Sequence, residues 1–278
     1  MGTTGDMVAA YVTGLGPPEA IRYGRLPVPA PGPTDVLVRV EVVAVNPVDT
    51  FVRSGAYRTP VPFPFVVGRD LVGTVAAADE GAAGFAPGQR VWANSLGHGG
   101  RQGPSAGYAV VAADRLYRLP DGADPVPAVA CLHPVATAYL GLFEHAGLRA
   151  GQTVYIGGGA GNVGAAAVAL AAGAGARVLA SARPADTERC RAAGAHVVFD
   201  YADADLAARI GAAAPDGVEV WWDTSGHHDL DAAVPVLAPR GRVVLAAGLS
   251  ARPVLPVGAV YIRDVRLVGF AISNATVA

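Results

Sequence analysis

The residues from Gly159 to Gly164 carry the clearest chemical signal in the chain. Gly159-Ala160-Gly161-Asn162-Val163-Gly164 fits the spacing G-x-G-x-x-G. With 36 glycines in 278 residues, chance alone supplies roughly 0.6 such matches, so the weight rests on the surroundings. Thr153-Val154-Tyr155-Ile156 is a short apolar strand ahead of the glycines. An Ala-rich, helix-forming segment follows to Ala172, and Arg177-Val178-Leu179-Ala180 reads as a second strand. In that order the first glycine permits a tight turn, the second lets a pyrophosphate approach the main chain, and the third lets helix pack on strand. Phosphate oxygens then meet the free N–H groups at the helix N-terminus. The stretch predicts a dinucleotide site.

The end of the second strand bears on which dinucleotide. A carboxylate about 20 residues past the glycines binds a ribose 2′-hydroxyl. This region is Ala180-Ser181-Ala182-Arg183-Pro184, with no carboxylate before Asp186. The Ser181 hydroxyl and the Arg183 guanidinium suit a 2′-phosphate, so NADPH is the expected cofactor.

These groups need elements to hold them. Val8 to Val12, Val36 to Val42, Gly68 to Ala77, Arg90 to Asn94, Tyr108 to Val111 and Leu116 to Leu119 read as strands. They form a β-rich domain ending near Pro120-Asp121-Gly122, which gives domains of 1–122 and 123–278. From Pro125 to Ala146 the pattern is helical. Further strands at Val197–Asp200, Val218–Asp223, Arg242–Leu245 and Val265–Phe270 alternate with helices at Pro184–Ala193 and Asp203–Ala213. That alternation predicts a doubly wound parallel sheet, with ligands at the carboxyl ends of its strands. The fold class is α/β.

Composition removes several other function classes. Hydrophobic residues make up 52% of the chain and the formal charge is −2, which argues against a nucleic-acid surface or a polybasic membrane contact. Cys131 and Cys190 form neither a spaced metal pair nor a disulfide framework, so a reducing, cytoplasmic setting is expected. The N-terminus lacks a basic region followed by an apolar core. Residues 150–176 carry no charge, but their glycines with Gln152, Thr153 and Asn162 read as a buried strand, turn and helix rather than a membrane span. His227-His228-Asp229 reads as a loop, since adjacent histidines point apart.

The run Asn46-Pro47-Val48-Asp49-Thr50-Phe51-Val52-Arg53-Ser54-Gly55-Ala56-Tyr57, together with Gly68-Arg69-Asp70-Leu71-Val72-Gly73, Thr137-Ala138-Tyr139 and the later G-A-G-N-V-G, resembles the zinc-independent, zeta-crystallin-like quinone oxidoreductases of the medium-chain dehydrogenase/reductase superfamily. The resemblance covers nearly the whole chain. It implies a GroES-like catalytic domain, a Rossmann domain and NADPH-dependent reduction of a quinone or activated alkene. Zinc-dependent relatives place Cys and His where this chain has Asn46 and Arg69, neither of which is a zinc donor. No catalytic or structural zinc is expected.

The resemblance also assigns roles. Asn46 belongs near the nicotinamide and the substrate carbonyl, Tyr57 is a substrate contact or proton donor, and Thr137 lines the nicotinamide pocket. Ala160, Gly161, Asn162 and Val163 meet the pyrophosphate, Tyr201 the 2′-phosphate, Gly248 the nicotinamide half, and Ala271, Ile272 and Ser273 the carboxamide. Alternatives from the residues alone remain: a turn at Asn46-Pro47, a packed Tyr57 or Tyr201, a helix-bonded Thr137, a solvated loop charge at Arg183 and a plain turn at Gly248.

Three departures from the family pattern stand out. Phe51 replaces a cofactor-contacting Tyr. The loop Gly97 to Gly103 reads as flexible and solvated, the alternative being that His98 and Arg101 meet an anionic or oxygen-rich substrate. The chain stops at Ala278, short of the usual C-terminal return segment, and an incomplete sequence is the expectation. A homodimer through the strand Val265–Phe270 is also implied. The rival readings are an enoyl-thioester reductase of polyketide or lipid synthesis and a non-catalytic NADPH-binding protein.

Overall fold

A computed structural model describes residues 5–79, 81, 82 and 84–277. The chain divides into two compact units. One runs to His133 and takes back the segment from Thr276; the other is Pro134–Ala275.

The first unit begins with strands β1 (Asp6–Val12), β2 (Arg22–Pro27) and β3 (Asp35–Ala44), then helix α1 (Pro47–Ser54). Strands β4 (Phe65–Val66), β5 (Asp70–Ala78), β6 (Arg90–Ala93), β7 (Tyr108–Ala112) and β8 (Tyr117–Arg118) follow. They form a small sheet ordered β2-β1-β4 and a larger antiparallel sheet ordered β7-β3-β5-β6-β8. Alternation puts Val36, Val38, Leu71, Val75, Val91 and Val111 into one core, while Arg39 and Glu41 face outward. Strands β2 and β4 were not expected. The first is mostly exposed, Arg-Tyr-Gly-Arg-Leu-Pro, and the second is two residues among prolines, so neither carries a readable period.

Helix α1 was also not expected as a helix. Asn46 is its N-cap, Pro47 takes the first turn, where its missing N–H costs nothing, and Asp49 reaches back to the Asn46 N–H at 2.7 Å. Gly55, at φ 81°, ends it in the left-handed region. Val52 buries the inner face against Val12 and Phe65.

The longest helix, α2 (Pro125–Tyr139), continues into a π-helical turn at Leu140–His145, and the division between the units falls within it. Its length and hydropathy would suffice to cross a membrane, yet Val129, Ala138 and Leu142 each lie in a domain core.

The second unit alternates strand and helix: β9 (Thr153–Gly157), α3 (Asn162–Gly173), β10 (Arg177–Ala182), α4 (Thr187–Ala192), β11 (Val197–Asp200), α5 (Leu206–Ala213), β12 (Val218–Asp223), α6 (Leu230–Val236), β13 (Leu237–Leu245), α7 (Val257–Ile262) and β14 (Arg266–Gly269). All six strands run parallel in the order β11-β10-β9-β12-β13-β14. The order reverses between β9 and β12, which is where such sheets open a crevice for a ligand. The uncharged stretch 150–176 forms β9, the glycine turn and α3.

Candidate functional site

The glycine loop lies at the carboxyl end of β9, on the switch point. The left-handed turn is made by Gly158 at φ 70°, one residue before the motif's first glycine, to which the sequence reading gave it. Gly159 is needed instead for close approach, since a Cβ there would meet the Ala180 Cβ at 3.0 Å. Gly164 does what its position predicts. Any side chain at Gly164 would collide with the main-chain oxygen of Gly158, so α3 can lie against the strand only with glycine there. Gly161 caps α3 without a side-chain bond to the first turn. The helix's leading N–H groups are thus left for an anion.

The neighbouring strand ends complete this region. Thr224, after β12, donates its hydroxyl to the Gly157 oxygen at 2.7 Å. Gly226 and Gly248 press together, with a Cβ on Gly248 placed 2.8 Å from the Gly226 oxygen. Thr224 and Gly226 were missed because a single Thr and a single Gly give no pattern. Ser181 is buried, and its hydroxyl meets the Tyr155 phenol at 2.7 Å. Arg183 extends into solvent and pairs with Asp186 at 2.8 Å. Tyr201 donates its N–H to the Ala182 oxygen at 3.3 Å and is exposed, so Arg183 and Tyr201 stand at adjacent strand ends. Ala271, Ile272 and Ser273 follow β14 and are half-buried. Thr137 is buried on α2 in the same unit.

The first unit holds a different kind of site. Asn46 donates its amide Nδ2 to Asp70 Oδ2 at 2.8 Å, which joins the start of α1 to the start of β5. Burial pushes the Asp70 carboxyl up to about 7, against the pull of the Asn46 bond. Burial likewise raises Asp49 to about 6. Between them in chain order sits Arg69, 2% exposed. Burial lowers its pKa, and Asp49, Asp70 and Tyr57 act to raise it. Burial, then the charge of Arg69, pushes His133 down to about 4.

The loop read as flexible and solvated is pinned. Gly99 N–H binds Thr59 Oγ1 at 2.9 Å, Arg101 Nε binds the Ser95 oxygen at 2.9 Å, and the His98 ring leans on Tyr57 with centroids 5.8 Å apart. Tyr57 also borders a cavity of about 330 Å³ with Leu15, Val52 and Thr59.

Residues 32–121 match the family described as "Alcohol dehydrogenase GroES-like domain" and residues 162–278 that described as "Zinc-binding dehydrogenase". The chain is 33% identical over 242 residues to a quinone oxidoreductase of Rattus norvegicus, covering 86% of this chain and 72% of that protein. The chain belongs to the quinone oxidoreductase family of the medium-chain dehydrogenase/reductases.

Solved structures agree. A quinone oxidoreductase of Pseudomonas syringae superposes with a TM-score of 0.85 at 25% identity, covering 96% of this chain and 82% of the other. A mycobacterial protein complexed with NADPH superposes with a TM-score of 0.80 at 32% identity, covering 94% and 80%. The protein is therefore an oxidoreductase that uses a nicotinamide cofactor and acts on a small molecule. Zinc does not fit this chain's residues: the places of the Cys and His ligands hold Asn46 and Arg69, an amide and a cation. Among the described residues no three His, Cys, Asp or Glu gather to hold an ion.

Proposed function

We propose that this quinone oxidoreductase-family member uses NADPH to reduce a quinone or an activated alkene such as an enone, without a metal. The observation that carries the cofactor choice is the placement of Arg183 and Tyr201 at neighbouring strand ends, with no carboxylate in the chain between the glycine loop and Asp186. Ser181 is buried beneath them and bound to Tyr155, so it supports the strand end, while Arg183 and Tyr201 take the 2′-phosphate. Ala160, Gly161, Asn162 and Val163, between Gly159 and Gly164, hold the pyrophosphate on the N–H groups opening α3. Gly248, Ala271, Ile272, Ser273 and Thr137 serve the nicotinamide half.

When bound, the nicotinamide supplies a hydride. The chain's part is to orient the acceptor and meet the charge that develops on its oxygen. Asn46 spends one amide N–H on Asp70 and keeps a second for the acceptor. Tyr57 lies beside the cavity as a substrate contact. Replacing Asn46 by Ala is expected to leave NADPH affinity within about twofold and to lower turnover about 10- to 100-fold. NADPH consumption with a panel of small quinones and enones, beside a binding titration, checks this; unchanged turnover would contradict it.

A cytoplasmic homodimer completes the reading. Strand β14 lies at one end of the parallel sheet and exposes Leu267, which suits pairing with a second copy. A monomeric mass by sedimentation at micromolar concentration would contradict the dimer.

A further inference from the structure

Arg69 is the most buried arginine among the described residues. Its guanidinium makes neither a hydrogen bond nor an ion pair among the described residues, and its Nε is fully buried without a partner. Where this chain uses arginine to neutralise a carboxylate, the contact is direct: Arg183 reaches Asp186 at 2.8 Å and Arg191 reaches Glu188 at 2.6 Å. Asp70 is adjacent in sequence and attracts Arg69, yet its Oδ2 takes the Asn46 amide, and its Oδ1 and the Asp49 Oδ1 are unpartnered. A buried guanidinium kept off its carboxylates costs stability unless its donors serve another acceptor. An unpartnered N–H donor calls for an oxygen acceptor. Tyr57 and His98 lie within the field of Arg69, and His98 also feels Arg101 and Arg115. Asp49 and Asp70 act on Arg69 most strongly, and Arg101 and Arg115 add positive charge on the His98 side.

We propose that Arg69 is a catalytic residue: its guanidinium receives the acceptor's carbonyl oxygen and stabilises the negative charge that gathers there during reduction. It stands where zinc-dependent relatives place a metal ligand, and supplies the positive charge itself. In the step, the acceptor gains a hydride at carbon and the displaced π electron pair moves to oxygen. A proton from water then completes the two-electron reduction, and the nicotinamide is oxidised. The geometry favours planar acceptors with a conjugated carbonyl, whose charge becomes localised on one oxygen that a planar fork of N–H donors can grip.

This inference rests on the reductase reading, and the experiment separates the two. The probe is 4-nitrophenol, whose visible spectrum reports ionisation of an oxygen held in the site. Bound to the wild-type protein it should ionise at least about one pH unit lower than in water. Arg69→Met should abolish that shift and lower turnover about 100- to 1,000-fold, with NADPH affinity unchanged, while Arg69→Lys keeps part of both. Bound nitrophenol that ionises as it does in water overturns the proposal even if no variant folds. So does Arg69→Met turnover within threefold of wild type. An Arg69-dependent spectral shift without reduction of any quinone or enone would uphold the oxygen-binding site and sink the reductase reading.

Discussion

Between Gly157 and Gly164 the chain offers its ligand almost no side chains, whereas around Arg69 it buries a cation beside Asp70 with a half-buried Asp49 nearby. The loop works through what is missing. With no Cβ at Gly159 or Gly164, strand and helix close to main-chain contact and aim uncapped N–H groups at one point. The cluster works through what is present, holding charge in a low-dielectric place where each interaction is stronger and each unmet group costs more. One site is rigid and generic, since any dinucleotide carries the same pyrophosphate. The other is where we propose that the acceptor is held and polarised.

The most severe way to break the loop is Gly164→Val. Its Cβ would collide with the Gly158 oxygen, in the turn between β9 and α3. The expected cost is about 3 kcal/mol or more, with NADPH binding weakened at least about 100-fold. A fluorescence titration checks it, and near-normal affinity would show that the helix can retreat without harm.

The cluster should respond to pH where the loop does not. Asp70 has a folded-state pKa near 7 against 3.8 unfolded. The stability it contributes is therefore fully present below about pH 4 and is lost as pH rises through about 7. Asp70→Asn keeps an acceptor for Asn46 and cannot ionise. The stability of wild type relative to Asp70→Asn should fall by an amount on the order of a few kcal/mol between pH 4 and 7.5. Urea unfolding across that range measures it; parallel curves would mean that Asp70 ionises freely in the folded protein. His133, lowered to about 4, acts in the opposite direction and Asp49, raised to about 6, in the same one; both are present in both proteins, so the difference reports Asp70 together with its coupling to Asp49.

The smallest expected effect sharpens the cofactor side. Arg183 is exposed and already shares its charge with Asp186. Arg183→Ala should cost about 1.4 kcal/mol, or tenfold, in NADPH affinity and nothing for NADH. Equal losses for both would place Arg183 outside the 2′-phosphate site.

The two regions were unequally legible in the sequence for the same physical reason. The loop is local: strand, glycines and helix lie within 21 residues, from Thr153 to Gly173, and each glycine's spacing reports its own steric demand. Even so, the tight turn belonged to Gly158, because a run of three glycines does not say which one turns. The alternating strands and helices of the second unit were readable from period alone, while the exposed β2 and the two-residue β4 were not. The cluster is assembled across the fold. Asn46 and Asp70 are 24 residues apart, and nothing in N-P-V-D or G-R-D states that an amide and a carboxyl will meet while the arginine between them goes unpaired. Ser181 shows the same limit. Its place at the strand end was evident, but not that it faces inward to Tyr155, because that contact depends on a strand 26 residues away.

The central claim is that the Arg183 and Tyr201 strand ends and the glycine loop make an NADPH site serving a reductase. Affinities for NADPH and NADH, measured beside the oxidation of each with a small quinone panel, test it most directly. NADPH is expected to bind more tightly than NADH and to turn over faster. Binding of neither nucleotide, or a clear preference for NADH, would contradict it.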